Sequence, residues 1–401
     1  TNHGLFIKNN KASSGFSLIN GTEGQVWTLD VIDGQLLCGH DLGTFYIDSN
    51  TAIKIADKPG TWIFKKHPTD NSILLQGNYK GIFVLNKINN NWRIRNKLKG
   101  FDISSRFIEF VNDSLILVSH EYKGVFSLKT DAELTIVKEK GLEESVKKGN
   151  NASMASFDSE IFYNNPDGVF RYDKQDFRFF KDLALSNEIE VSNYLSGKMI
   201  NDDNGNFWMF SNNKIHYLFK DIFSDEFKFK SFYFEKNTAN NVLGFEHVAK
   251  HKGSKYLLGS NTGYLLVDLG KIKKARPIVS FEKIRVTDKF NDQTYLPLNQ
   301  ELTLNTENNN IKFFISSFNY QKYDKVMYQL MLVGFDQDWR PWTSSAGLAL
   351  NNLPTGEYFL KARTKVRNEI SKSISSKKIS ILSPWYFSNG MYFIYFILFL
   401  A

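Results

Sequence analysis

Between Gly4 and Gly263 the chain repeats itself about every 40 residues, and that period constrains its fold more than any other feature. The recurring tail is a glycine followed by an apolar strand: GLFIKN from Gly4, GTFYIDS from Gly43, GIFVLNK from Gly81, GVFSLKT from Gly124, GVFRYDK from Gly168 and GYLLVDL from Gly263. The first five start 39, 38, 43 and 44 residues apart, and the 95-residue gap before the last holds one more copy, NNKIHYLF, with Lys214 in place of the glycine. A second strand precedes every tail but the first: LLCGHD at 36–41, LLQGNY at 74–79, ILVSHE at 116–121, IFYNNP at 161–166, FWMFSN at 207–212 and YLLGSN at 256–261. Short strands joined by hairpin turns at this spacing build the blade of a β-propeller. Period-2 alternation and frequent Gly and Asn exclude coiled-coil and helical repeats. Seven tails against six preceding strands predict about seven blades over residues 1–275, the first incomplete.

Further on the pattern changes. An apolar, β-prone run from Val326 to Val333 stops at Gly334, Asp336 and Asp338, and Trp339 and Trp342 follow. A short run from Leu348 to Leu350 leads into the turn Asn352-Leu353-Pro354-Thr355-Gly356. In the next strand Tyr358, Leu360 and Ala362 alternate with Phe359, Lys361 and Arg363, which makes one face largely basic. The spacing predicts a compact all-β module, so the whole chain reads as all-β.

This stretch resembles the triple-tyrosine domain at the periplasmic end of bacterial membrane sensors, where Y-x-x-x-L-x-G-F-D-x-D-W precedes L-P-x-G-x-Y-x-F. The matching residues are Tyr328, Gly334, Phe335, Asp336, Asp338, Trp339, Leu353, Pro354, Gly356 and Tyr358. Upstream, Asp202, Gly205 and Trp208 resemble the D-x-x-G-x-x-W signature of two-component-regulator propeller repeats. The resemblance implies an immunoglobulin- or fibronectin-like β-sandwich over 276–383. It further implies a periplasmic ligand-sensing region of an inner-membrane regulator that binds a glycan fragment on its propeller face and works as a homodimer. The sandwich would relay binding to membrane helices, and the output, a helix-turn-helix domain or a histidine kinase, would lie outside this chain.

Composition supports strands, with 35 Phe and 18 Tyr against 8 Pro. The net charge of +8 is spread out, and its densest cluster, Lys271 to Arg276, reads as solvated surface, so no nucleic-acid partner is expected for this region. The single cysteine, Cys38, excludes an intramolecular disulfide. Thr1 opens directly into a strand-like run without a secretion signal, so a start in mid-protein is expected. From Met391 to Ala401 there is no charged residue, and Trp385, Tyr386 and Tyr392 stand where interfacial aromatics would. That is roughly half of the ~20 residues a bilayer span needs, so 384–401 is expected to begin a transmembrane helix and to anchor the protein in the membrane.

The turns joining second and third blade strands should all lie on one face of a propeller, around its opening. Here they carry His40, Asp41, Tyr79, His120, Glu121, Asn164, Asn213 and Asn261, which become the candidate ligand-binding residues. Short polar and aromatic groups of this kind suit a small polar ligand, an oligosaccharide foremost; each also suits a turn for backbone geometry alone. Trp27 and Trp62 fall in innermost-strand positions and read as blade core. No catalytic residue, metal or cofactor is expected: no G-x-S-x-G, P-loop or dinucleotide motif occurs. A calcium loop starting at Asp202 would need a glutamate where Asn213 stands. His247 and His251, in a strand, would be about 13 Å apart, too far for one zinc ion. Two other readings stay open: a membrane-anchored propeller scaffold for protein partners, and a propeller lyase or hydrolase, which would need paired carboxylates.

Overall fold

The computed structural model describes residues 1–8, 15–189, 191–202, 205–212, 214–221, 226–233, 242–261, 263–271, 277–288, 290–297, 300–318, 326–366, 369–387 and 389–400. The chain divides into two compact units, Thr1–Lys230 with Ala239–Val267 and Ser231–Thr238 with Asp268–Ala401.

In the first unit consecutive strands pair in sequence order as antiparallel meanders, one for each period of the repeat. The first comprises Val26–Ile32, Gln35–His40, Gly43–Asp48 and Thr51–Ala56. The second comprises Ile63–Lys66, Ile73–Asn78, Gly81–Ile88 and Asn91–Lys97. Phe107–Asn112, Leu115–His120, Gly124–Thr130 and Val137–Gly141 form the third, and Ser153–Phe157, Glu160–Asn165, Gly168–Asp173 and Arg178–Lys181 the fourth. The fifth is Tyr194–Asn201, Asn206–Ser211, Lys214–Lys220 and Phe227–Tyr233; the sixth has three strands, Val248–Lys252, Lys255–Ser260 and Gly263–Asp268. A short hairpin, Phe6–Ile7 with Ser17–Leu18, stands before them. Among the described residues no sheet closes on itself, and the arrangement is propeller-like.

The packing explains why the second strands read as nearly unbroken apolar runs. Sheets stack face to face, so both faces of these strands are covered. In Asn206–Ser211, Phe207 and Met209 pack with Phe157 and Phe162 of the fourth sheet, while the Trp208 ring lies 5.0 Å from that of Tyr256 in the sixth. The sixth sheet's own second strand buries only Tyr256 and Leu258, which alternate along it. Tail glycines are explained by backbone geometry: Gly43, Gly81, Gly124, Gly168 and Gly263 all have φ between +98° and +148°, a region closed to most side chains. At Gly77 a Cβ would collide with the carbonyl of Ser105, just before the next sheet. The Asp202 motif is a structural clasp, since its carboxylate accepts from Trp208 Nε1 at 2.9 Å and from the Asn206 amide at 3.0 Å.

The second unit holds two sheets. One orders Gln293–Leu296, Val279–Thr287, Asn310–Ser317 and Gly347–Leu350; the other orders Leu302–Asn305, Ile379–Leu382, Gly356–Val366 and Val326–Val333. Their inward side chains form one cluster, with Ile284, Phe313 and Ile315 from the first meeting Leu330, Leu332, Leu360 and Ile379 from the second. Tyr328, Leu350, Leu353 and Tyr358 belong to it as well, and Tyr358 Oη donates to the Pro354 carbonyl at 2.8 Å, tying the turn to the strand. Asp336 accepts from the Leu332 amide at 2.8 Å and grips the Arg340 guanidinium through both oxygens. Outside the core, Arg363 lies 4.3 Å from the Trp339 ring and 5.6 Å from that of Trp342. The chain closes with the apolar, exposed helix Asn389–Leu400. Among the described residues no helix is long and apolar enough to cross a membrane.

Candidate functional site

In the first unit the leading strands of adjacent sheets pack side by side. Their N-terminal ends bring together side chains that are far apart in sequence. Trp27 and Trp62 lean against each other, tilted by 40° with ring centroids 4.2 Å apart, Tyr79 lies edge-on to Trp62 at 5.4 Å, and Phe245 stacks on Trp27 at 5.7 Å. Both tryptophans are only partly buried, and neither joins the blade cores, contrary to the expectation for them. Each stands where an inner strand begins, so its ring leans on its counterpart in the next sheet.

Arg106 is the hub of the cluster. Its guanidinium carbon is 4.3 Å from the Phe245 ring and 5.2 Å from that of Trp62, Nη2 donates to the Gly244 carbonyl at 2.6 Å, and Nη1 pairs with Glu121. A planar cation can stack and donate in plane at once, which an ammonium cannot. Burial pulls its pKa down to about 10 against the opposing pull of Glu246, so it stays charged at neutral pH. Beside it are Lys198, Glu246 and His247. Glu246 is 2% exposed, and neither carboxylate oxygen has a hydrogen-bond partner of normal geometry. Desolvation raises its pKa, which the Ser196 hydroxyl and nearby amides offset only in part. Lys198 Nζ lies 5.3 Å from the Phe107 ring, and desolvation, then repulsion from Arg106, brings it down to about 8. His247 is open to solvent yet has protein around it, and desolvation, then Lys198, lowers it to about 4. Further along the inner strands, Lys65 pairs with Glu109 at 2.5 Å and reaches Ser156 at 3.4 Å, linking three sheets.

No protein-family model and no curated protein matches the sequence. Among solved structures, the chain is similar to the extracellular domain of the candidate hybrid two-component system BT3049 from B. thetaiotaomicron, with a TM-score of 0.72 and 16% identity over 94% of this chain and 53% of that one. The two share a fold. This chain spans about half the length of that domain. The extracellular domain of BT4673 from the same organism is also similar, at 12% identity over 92% of this chain and 58% of that one, but its TM-score of 0.43 carries no argument.

The candidate residues read from the turns divide into three groups. Asp41 accepts from Tyr79 Oη at 2.6 Å, and Glu121 holds Arg106, so these three belong to the aromatic and charged cluster. His40 is fully buried, with Nε2 3.2 Å from the Thr22 carbonyl and Nδ1 accepting from the Leu42 amide; both nitrogens serve the fold. His120 and Asn164 are buried, and among the described residues His120 Nδ1 and Asn164 Oδ1 have no hydrogen-bond partner. Asn261 is exposed on its turn, and Asn213 lies outside the described residues. Arg106, Lys198, Phe245, Glu246 and His247 were not singled out from the turns. The signal for them was present in the repeat: Trp27, Trp62, Arg106, Lys198 and His247 all stand 9 to 12 residues before the start of the following second-strand run.

The buried histidines make stability depend on pH. Burial pushes His120 down to about 4, helped by Lys123 and Arg106, whereas an unfolded histidine titrates near 6.5. Between those values the unfolded chain binds the extra proton, so stability is lost as pH falls from about 6.5 toward 4. Glu246 acts in the opposite sense: its raised pKa means that stability is lost as pH rises through the carboxylate range. Comparing variants isolates the histidine. Urea midpoints at pH 7 and pH 4.5 should differ less for His120→Asn than for the unsubstituted protein, and equal differences would refute the assignment.

Proposed function

We propose that this chain is the ligand-sensing, extracytoplasmic region of a membrane-spanning signal-transduction and transcription regulator, and that it binds a glycan fragment at the cluster around Trp27, Trp62, Tyr79 and Arg106. The single observation that carries the reading is that cluster itself. Partly exposed aromatic rings beside fixed donors and acceptors suit a sugar, whose C–H groups pack on rings and whose hydroxyls hydrogen-bond. The shared fold with an extracellular domain supports the placement outside the cytoplasm. On this reading the first unit is a propeller of about seven blades, the first incomplete. Residues 276–383 are an immunoglobulin-like sandwich of triple-tyrosine type, 384–401 begin the transmembrane helix, and the receptor works as a homodimer in the inner membrane. Ligand binding shifts the balance between two arrangements of the dimer, and the sandwich passes the shift to the membrane helices. No turnover is assigned to this region: Asp41 is held by Tyr79 and Glu121 by Arg106, as fixed binding groups are.

The test is a calorimetric screen of oligosaccharides against the 401-residue chain, with Trp62→Ala as the site variant. Loss of the stacking face should weaken the binding saccharide by about tenfold. A screen without any binder would remove the sensing reading and leave the protein-scaffold reading in its place.

A further inference from the structure

We propose that the sugar recognised by this site is an acidic one, whose carboxylate or sulfate is taken by the Lys198 ammonium while its ring lies against Trp27 and Trp62. The proposal rests on the glycan reading and adds the class of glycan. It starts from the way charges around the hollow are paired. Arg106 is committed to Glu121 and to the Gly244 carbonyl, and Lys65 to Glu109. Lys198 has no ion pair among the described residues, although it stands on the fifth inner strand close enough to Arg106 for the two cations to repel.

Glu246 attracts Lys198 electrostatically but forms no ion pair with it among the described residues. Glu246 is buried, and its two oxygens have no hydrogen-bond partner of normal geometry among the described residues. Desolvation raises its pKa, which disfavours the charged form that would offset the two cations. Two like charges in a poorly solvated hollow repel strongly, and an anion from outside relieves both at once. His247, held neutral at physiological pH and open to solvent, adds a hydrogen-bonding ring that does not repel the anion.

Calorimetry on the whole chain can test this with two matched pairs of probes: tetragalacturonate with its fully methyl-esterified form, and a sulfated galactose tetrasaccharide with its desulfated form. The expected result is that one acidic probe binds at least about tenfold more tightly than its neutral partner, as one charge-assisted contact implies. The preference should shrink as ionic strength rises. Which acidic probe wins tells carboxylate from sulfate. In Lys198→Met the ratio of acidic to neutral affinity should collapse toward one, and in Lys198→Arg it should largely return; unchanged thermal unfolding shows that both variants are folded. Neutral probes binding as well as acidic ones, or a ratio untouched by Lys198→Met, would overturn the acidic assignment and leave the glycan reading standing. If no probe of either kind binds, both fall together.

Discussion

Arg106→Met should lower the stability of the propeller-like unit by about 3 kcal/mol, at the low end of what removing one partner of a buried ion pair costs. The magnitude follows from what the guanidinium does. Its side chain is only 6% exposed, and it holds Glu121, the Gly244 carbonyl and the faces of Phe245 and Trp62. Removing it leaves a carboxylate and a carbonyl without their donor; Glu121 is 23% exposed, so water recovers part of the loss. Arg106→Lys should fall between the two, because an ammonium restores the charge and loses the planar stack. Urea unfolding followed by tryptophan fluorescence measures the effect. A loss below about 1 kcal/mol for Arg106→Met would mean that these contacts are surface-like in strength. The same variants should weaken ligand binding, since Trp62 and Phe245 are aligned through this side chain.

Trp208→Ala should be at least as damaging, costing about 3–5 kcal/mol as other buried aromatic deletions do. Trp208 is fully buried, its ring packs 5.1 Å from Tyr217 and 5.0 Å from Tyr256, and its indole N–H is bonded to Asp202. Deleting the ring opens a cavity between the fifth and sixth sheets and removes one of the donors to the Asp202 carboxylate, which keeps those of Asn206. Two milder changes separate those parts. Trp208→Phe keeps most of the packing and drops the N–H bond, and Asp202→Ala drops the acceptor; each should cost about 1–2 kcal/mol. In a double-mutant cycle the pair should be coupled, with the combined loss smaller than the sum. Strict additivity would show that the hydrogen bond between them contributes nothing.

Much of the fold was legible in the chain because strand repeats are local. The tail glycines marked turns that require positive φ, and each second strand reappears at its expected place, from Gln35–His40 to Lys255–Ser260. Even the imperfect copy at Lys214 forms its strand, Lys214–Lys220. The Asn-Leu-Pro turn and the Tyr358 strand were read from residues that carry their own geometry, and Tyr358 closes the turn on itself. Polar turn residues were harder to interpret. His40 looks from its neighbours like a ligand-facing group, and only the packing of Thr22 and Leu42 against it shows that both nitrogens are used within the fold.

The site itself needed the tertiary structure. Trp27 and Lys198 lie in the first and fifth leading strands, Arg106 just before the third and Phe245 in the segment before the sixth, and nothing in their local sequence says that they meet. Period, turn chemistry and alternation act over a few residues, so the order of strands and the two-sided burial of the second strands could be read from the chain alone. Which inner-strand side chains face one another, which cation is already paired and which acid is buried without a salt bridge depend on contacts between residues 15 to 218 positions apart. Those contacts are set by how the sheets pack, and packing is decided by all the cores together.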